Sequence, residues 1–215
     1  DIGFQPDLIW HKSRNQSQSH FLTDSVRGKN SYLVSNTNAT AGTFPQGGQY
    51  GITSFNHNGW TQGSYGPMSE ASMVAWTWKA GGNKNTFNVD DVGFTTAAAA
   101  GLTAGDITPT GASVGTKQGF SIIKYTGSGT SGDTLPHGLL QTPDFIITKC
   151  LDASSIDWIV KPVGLLSSES HMLILNDLNA EFQGTGGHIS AQTSTTVTLT
   201  EGSNDGNYNN SGDNY

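Results

Sequence analysis

Residues 6–12 read PDLIWHK, and residues 143–149 read PDFIITK. Both stretches open on Pro-Asp, run through three bulky apolar residues and close on a lysine, 137 positions apart. Self-similarity at a fixed offset is weighed before local pattern, because each copy brings the same faces to be buried. The likeness continues. HFLTDSVRGKNSYLVSN (20–36) parallels DWIVKPVGLLSSESHMLILN (157–176). Phe21 stands against Trp158, Val26 against Val163, Tyr32-Leu33-Val34 against Met172-Leu173-Ile174, and Asn36 against Asn176. The offset grows from 137 to 140, which places a three-residue insertion in the middle turn of the second copy. Further on, TQGS (61–64) parallels TEGS (200–203). We expect a first repeat over residues 1–82, a linker over 83–118 and a second repeat over 119–215, with one intertwined body as the alternative to two units.

Within the copies the periodicity is that of strands. In MVAWTWK, Val74, Trp76 and Trp78 fall on one face at period two, and core is the expected place for them. Trp10 and Trp158 sit among apolar neighbours and are also expected inside. FSIIKYT splits into Phe120, Ile122 and Lys124 against Ser121, Ile123 and Tyr125, and Val197 and Leu199 alternate with threonines in a half-solvated pattern. Asn58-Gly59, between Phe55 and Trp60, reads as a two-residue hairpin turn, and Asp205-Gly206 repeats it. Gly47-Gly48 and Gly186-Gly187 mark longer loops. Residues 80–118 are rich in Gly, Ala and Thr. TTAAAAGLTAG (95–105) suits one short helix or an irregular loop, and the segment is expected to connect the copies along the surface.

The composition agrees. Of 215 residues only 13% are charged, and 28 are glycine, which favours turns and short strands over helices. The net charge is −7 and the only arginines are Arg14 and Arg27, so the basic stripe that phosphate binding needs is missing and nucleic acid is not an expected partner. No apolar run approaches the roughly 20 residues of a membrane-spanning helix, so no membrane insertion is expected. Cys150 is the only cysteine, which excludes an intrachain disulfide and a thiolate metal cage.

The copies are trimmed differently. The second begins with GFSIIKYTG (119–127), which has no counterpart before Gly3-Phe4, and the first closes on SMVAWTWKAGG (72–82), which has none before Tyr215. The chain also opens on Asp1 in mid-pattern, so we expect it to be part of a longer polypeptide. Strand sets out of phase leave open sheet edges, which must be paired or covered. The last strand of copy one and the first of copy two could close each other's sheets, a neighbouring chain could supply the pairing, or flanking residues could. The isolated chain is therefore expected to associate.

No pattern points to catalysis. The four glutamates, Glu70, Glu169, Glu181 and Glu201, are far apart in sequence, and a glycosidase needs two facing carboxyls. No two of His11, His20, His57, His137, His171 and His188 stand two or four apart, the spacings that place ligands on one face. Asp90-Asp91 and SNDGN (203–207) offer oxygens but lack a calcium-loop spacing, so turn chemistry explains them better. We therefore expect no metal, no cofactor and no catalytic residue. NAT (38–40) and NQS (15–17) match the glycosylation pattern by chance. The candidate ligand-binding residues are His57, Asn58, Trp60 and Tyr65, because a rim aromatic beside amide and imidazole groups can stack on the C–H face of a sugar while the polar groups bond its hydroxyls.

The order PDLIWHKSRN, HFLTDSVRG, YLVSNTNA, TSFNHNGWTQGS, MVAWTWKAGG, with NKNTFNVDDVGF (83–94) and GASVGTKQGFSIIKYTGSG (111–129), resembles a domain of unknown function in marine bacteriophage tail-fibre and other virion surface proteins. The resemblance covers almost the whole chain. It implies a lectin-like (concanavalin-like) β-sandwich and brings no catalytic residues. The expected fold is thus all-β, a jelly-roll or lectin-like sandwich built from a duplicated strand set. The expected function is a non-enzymatic structural and adhesive module of a phage tail fibre or surface appendage, located on the virion and extracellular after release. Its expected partners are other virion proteins, copies of itself (a trimer among the options) and a host cell-surface glycan. A capsid-decoration or head-fibre protein and a polysaccharide-degrading tail spike are the alternatives.

Overall fold

The computed structural model describes residues 1–45, 49–66, 72–183, 189–200 and 208–215. The Gly47-Gly48, Gly186-Gly187 and Asp205-Gly206 loops, SNDGN, Glu70, Glu201 and His188 lie outside them.

Strand β1 (Leu8–Ser13) starts directly after Pro6-Asp7 and leads an antiparallel meander with β2 (Phe21–Asp24), β3 (Ser31–Val34) and β4 (Gly42–Thr43). Its alternating burial puts Ile9, His11 and Ser13 inside. The DSVRG stretch makes the turn after β2. Asp24 Oδ1 accepts the Val26 and Arg27 amides at 3.0 and 2.8 Å, its Oδ2 meets Arg27 Nε at 2.5 Å, and Gly28 closes the turn at φ +92°. The hairpin β5 (Ile52–Asn56) and β6 (Gly59–Gln62) follows. Its two turn residues are His57 and Asn58, since Asn56 pairs with Gly59. The positive φ that the Asn-Gly reading placed inside the turn falls on Gly59 instead. Strand β7 (Met73–Trp78) returns to pair with β1, completing a sheet ordered β4-β3-β2-β1-β7.

The expected connection is itself a sheet. Strands β8 (Phe87–Val89) and β9 (Val92–Phe94) form a hairpin turned by Asp90 and Asp91 at φ 47° and 67°. Strand β10 (Gly111–Gly115) pairs with β8 in parallel and with β11 (Phe120–Lys124) in antiparallel. TTAAAAGLTAG forms turns whose Ala97 and Leu102 join Phe87, Ala112, Val114 and Leu139 in a buried cluster of its own. Gly81 is required here: a Cβ on it would lie 2.5 Å from the Asn88 and Val114 carbonyl oxygens.

The second copy follows. β12 (Thr134–Pro136) precedes a meander of β13 (Phe145–Thr148), β14 (Ile159–Pro162), β15 (His171–Ile174) and β16 (Phe182–Gln183). The hairpin β17 (Ile189–Gln192) and β18 (Thr196–Leu199) then pairs with β12. The written-twice segments adopt the same topology. The Leu175 amide donates to Trp158 O and the Trp158 amide to Asn176 Oδ1, as the Ser35 amide donates to His20 O and the His20 amide to Asn36 Oδ1, both side-chain bonds being 2.8 Å. Register therefore sets Trp158 against His20, one residue from the sequence match to Phe21. Hairpin pairing likewise sets Thr198, not Thr200, against Thr61.

The sandwich expectation is overturned. The described residues contain no helix, and their short sheets stand in a four-bladed, propeller-like ring. A jelly roll needs long strands joined into two broad facing layers. Among the described residues no strand exceeds six residues, each meander closes within its own sheet, and the apolar interior divides into separate clusters. The proposed closure of β7 with β11 also fails, because β7 pairs with β1 and β11 with β10.

Candidate functional site

The four residues singled out by sequence do not form one site. A shallow depression is lined by Asp1, Ile2, Asn56, Asn58, Gly59 and Trp60. Asn58 spends its acceptors on the first residues of the chain: its Oδ1 takes the Gly3 amide at 2.9 Å and its carbonyl the Ile2 amide at 3.2 Å. Trp60 is half-buried, with its ring 6.1 Å from the His11 imidazole. His57 is exposed at the turn. Tyr65 lies beyond the far end of β6, 54% exposed, with its ring 6.0 Å from Tyr50.

His11 is 1% exposed and neither ring nitrogen has a hydrogen-bond partner, so burial pushes its pKa down to about 4. It is a neutral imidazole wedged between β1 and the β5–β6 hairpin.

The aromatic residues expected in the core make the more prominent surface. Trp76 and Trp78 are 47% and 36% exposed. The period-two reading of their face was right, but β7 is an edge strand and that face is only partly covered. Trp10, the cross-strand partner of Trp76 on β1, lies beside them on the same face, with ring centroids 6.1 Å from Trp76 and 6.5 Å from Trp78, and Phe120 stacks on Trp78 at 6.2 Å. Trp10 in turn packs on buried Leu22, Leu33 and Trp158. The two exposed indoles thus continue an aromatic row that Trp10 joins to the buried cluster. His20 lies 6.5 Å from Trp10, and its pKa is lowered by burial and then by the Lys12 charge.

The polar groups weighed as ligands are occupied by the protein. Asp90 accepts the Thr116 amide and hydroxyl at 2.8 and 2.5 Å, and Asp91 meets Lys79 at 2.6 Å. Glu169 lies 3.5 Å from buried Lys161, and Glu181 accepts the Ser167 amide at 3.0 Å. Among the described residues no three His, Cys, Asp or Glu side chains converge to hold a metal ion. The lysines that close the two opening stretches act alike: Lys12 donates to the Ser13 and Gln16 carbonyls, and Lys149 to those of Cys150 and Ile156. These shared lysines therefore tie down the loops that follow β1 and β13.

Fold and surface define an all-β module with an exposed aromatic face. The chain belongs to the family described as "Domain of unknown function (DUF7483)", which matches residues 1–215. No curated protein and no solved structure matches it.

Proposed function

We propose that this chain is a non-enzymatic adhesive module of a phage virion, borne on a tail fibre or similar appendage, that holds a cell-surface glycan on the Trp76–Trp78 face. The observation that carries the reading is the pair of exposed indoles two residues apart, flanked by Trp10 and Phe120. Strand neighbours two apart stand about 6.5–7 Å from each other along the chain, a spacing at which a short run of sugar rings can lie across both. A rigid indole loses little side-chain entropy on binding, and the C–H face of a sugar stacks on it without the positive charge that nucleic acid requires. The virion setting rests on the sequence resemblance alone.

The test is binding to host-type surface polysaccharides by calorimetry, with reducing ends assayed in parallel. Trp78→Ala and Trp76→Ala are expected each to weaken binding by about tenfold, the share of one stacked ring. Unchanged binding in both variants, or release of reducing ends by the unaltered chain, overturns the proposal.

A further inference from the structure

The repeat supplies an internal control for one unfilled surface. On β1, backbone groups of alternate residues face β7: the Arg14 amide donates to Ser72 O at 2.9 Å, and Lys12, Trp10 and Leu8 pair with Val74, Trp76 and Trp78. The end of that strand is held by Asp7, which is fully buried and accepts the Ala80 and Gly82 amides on Oδ2 at 2.7 and 3.2 Å. In the second meander the Leu151 amide donates to Asn214 O at 2.8 Å, the counterpart of the bond from Arg14 to Ser72. Period two then turns the backbone groups of Phe145 and Ile147 the same way, towards an edge of β13 that no strand covers among the described residues. Phe145 and Ile147 are 59% and 38% exposed. Asp144, the counterpart of Asp7, is exposed, and no side-chain partner is described for it.

A second open edge faces the same groove. Tyr125 exchanges both backbone bonds with Tyr215, at 3.1 and 2.9 Å, so Ile123 and Ser121 of edge strand β11 present their backbone groups alongside. Ile123, Lys124, Ile147 and Lys149 line one cleft between the two edges.

We infer that the groove between β11 and β13 is a strand-acceptor site. Its occupant is an extended peptide from outside residues 1–215 that runs antiparallel to β13, carries aromatic side chains at alternate positions, and ends in small residues whose amides reach Asp144. The template is this chain's own Met73–Gly82. Affinity comes from the backbone ladder, and specificity from the Asp144 carboxylate and the apolar faces of Phe145 and Ile147. The site is separate from the glycan face and does not rest on that reading.

The probe is a synthetic peptide of residues 72–82, SMVAWTWKAGG, added to the 215-residue chain, with a scrambled peptide as control. We expect one peptide per chain, amide exchange slowed at least about tenfold at Phe145 and Ile147, and about tenfold weaker binding to Asp144→Ala, whose exposed position leaves folding intact. Ile147→Lys, a second variant, is expected to bind more weakly while keeping its thermal transition. The inference is overturned by absence of binding at millimolar peptide, by protection elsewhere than β13, by binding that Asp144→Ala leaves unchanged, or by a peptide-free dimer that already protects Phe145 and Ile147.

Discussion

The two meanders share topology and register, yet one is finished and the other bare. β1 lies between β2 and β7 and hides its Asp7, whereas among the described residues β13 has a partner on one side only and Asp144 is exposed. The same Pro-Asp opening thus plays two roles according to what covers it. With a strand in place, the carboxylate is a buried clamp on two amides; without one, it is an exposed acceptor. Likeness of sequence carried over the local fold, and cover by a neighbour decided how each residue is used.

The sharpest way to break the comparison is at the join. Trp158 is 4% exposed and donates its Nε1–H to Val34 O at 3.0 Å, from one meander to the other. Trp158→Ala is expected to cost about 3–5 kcal/mol, seen as a lower denaturant midpoint with a single transition retained. Two separate transitions in the unaltered chain would show the halves to be independent.

Acid should act on the first meander through a buried imidazole that the second does not have. His11 corresponds to Thr148, and its pKa falls from 6.5 to about 4 on folding. The unfolded chain therefore takes up the proton first as pH drops. Stability from this group is complete above pH 6.5 and is lost progressively between pH 6.5 and about 4, by roughly 3 kcal/mol at the acid end. His11→Thr should flatten that part of the stability profile; an unaltered slope in the variant would rule His11 out.

The clamp can be tested directly. Asp7→Ala strands two buried amides and should cost roughly 2 kcal/mol, while Asp144→Ala should stay within about 0.5 kcal/mol. Equal losses in thermal melts would erase the distinction between the copies. A pair of smaller losses than that of Asp7→Ala sharpens the likeness instead. Asn36→Ala and Asn176→Ala each remove a 2.8 Å bond from a backbone amide and should cost about 1 kcal/mol in denaturant unfolding, with Asn176→Ala the larger because its side chain also donates to Asp157 at 2.7 Å.

How much of this was legible follows from what a pattern encodes. Alternation in MVAWTWK and TVTL identified strands and which residues share a face, and the repeated PD stretch located equivalent meanders. Alternation says nothing about which face a neighbour covers, so Trp76 and Trp78 were assigned to the core. Matching by residue type also slipped, pairing Phe21 with Trp158, because hydrogen-bond register and not aromaticity defines equivalence. The three-residue strands β8 and β9 are too short for period two to register, and a Gly- and Ala-rich stretch reads as linker although its small side chains let strands approach closely. In the candidate site, His57, Asn58, Trp60 and Tyr65 were chosen by chemistry along one hairpin, and a hairpin's length separates its turn from its open end. The signal that could have found Asp144 was already in the repeat: the Pro-Asp motif stands in both copies, while among the described residues the strand it clamps accompanies only the first.

One bond reaches beyond folding. The indole of Trp158 and the carbonyl of Val34 belong to different copies, and the Ala41 amide also donates to Leu151 O at 2.9 Å, so each copy satisfies polar groups of the other. A duplicated gene fragment normally leaves two spare parts that can drift, be lost or be shuffled singly. Here each copy covers groups of the other, so excising either one would leave those groups open.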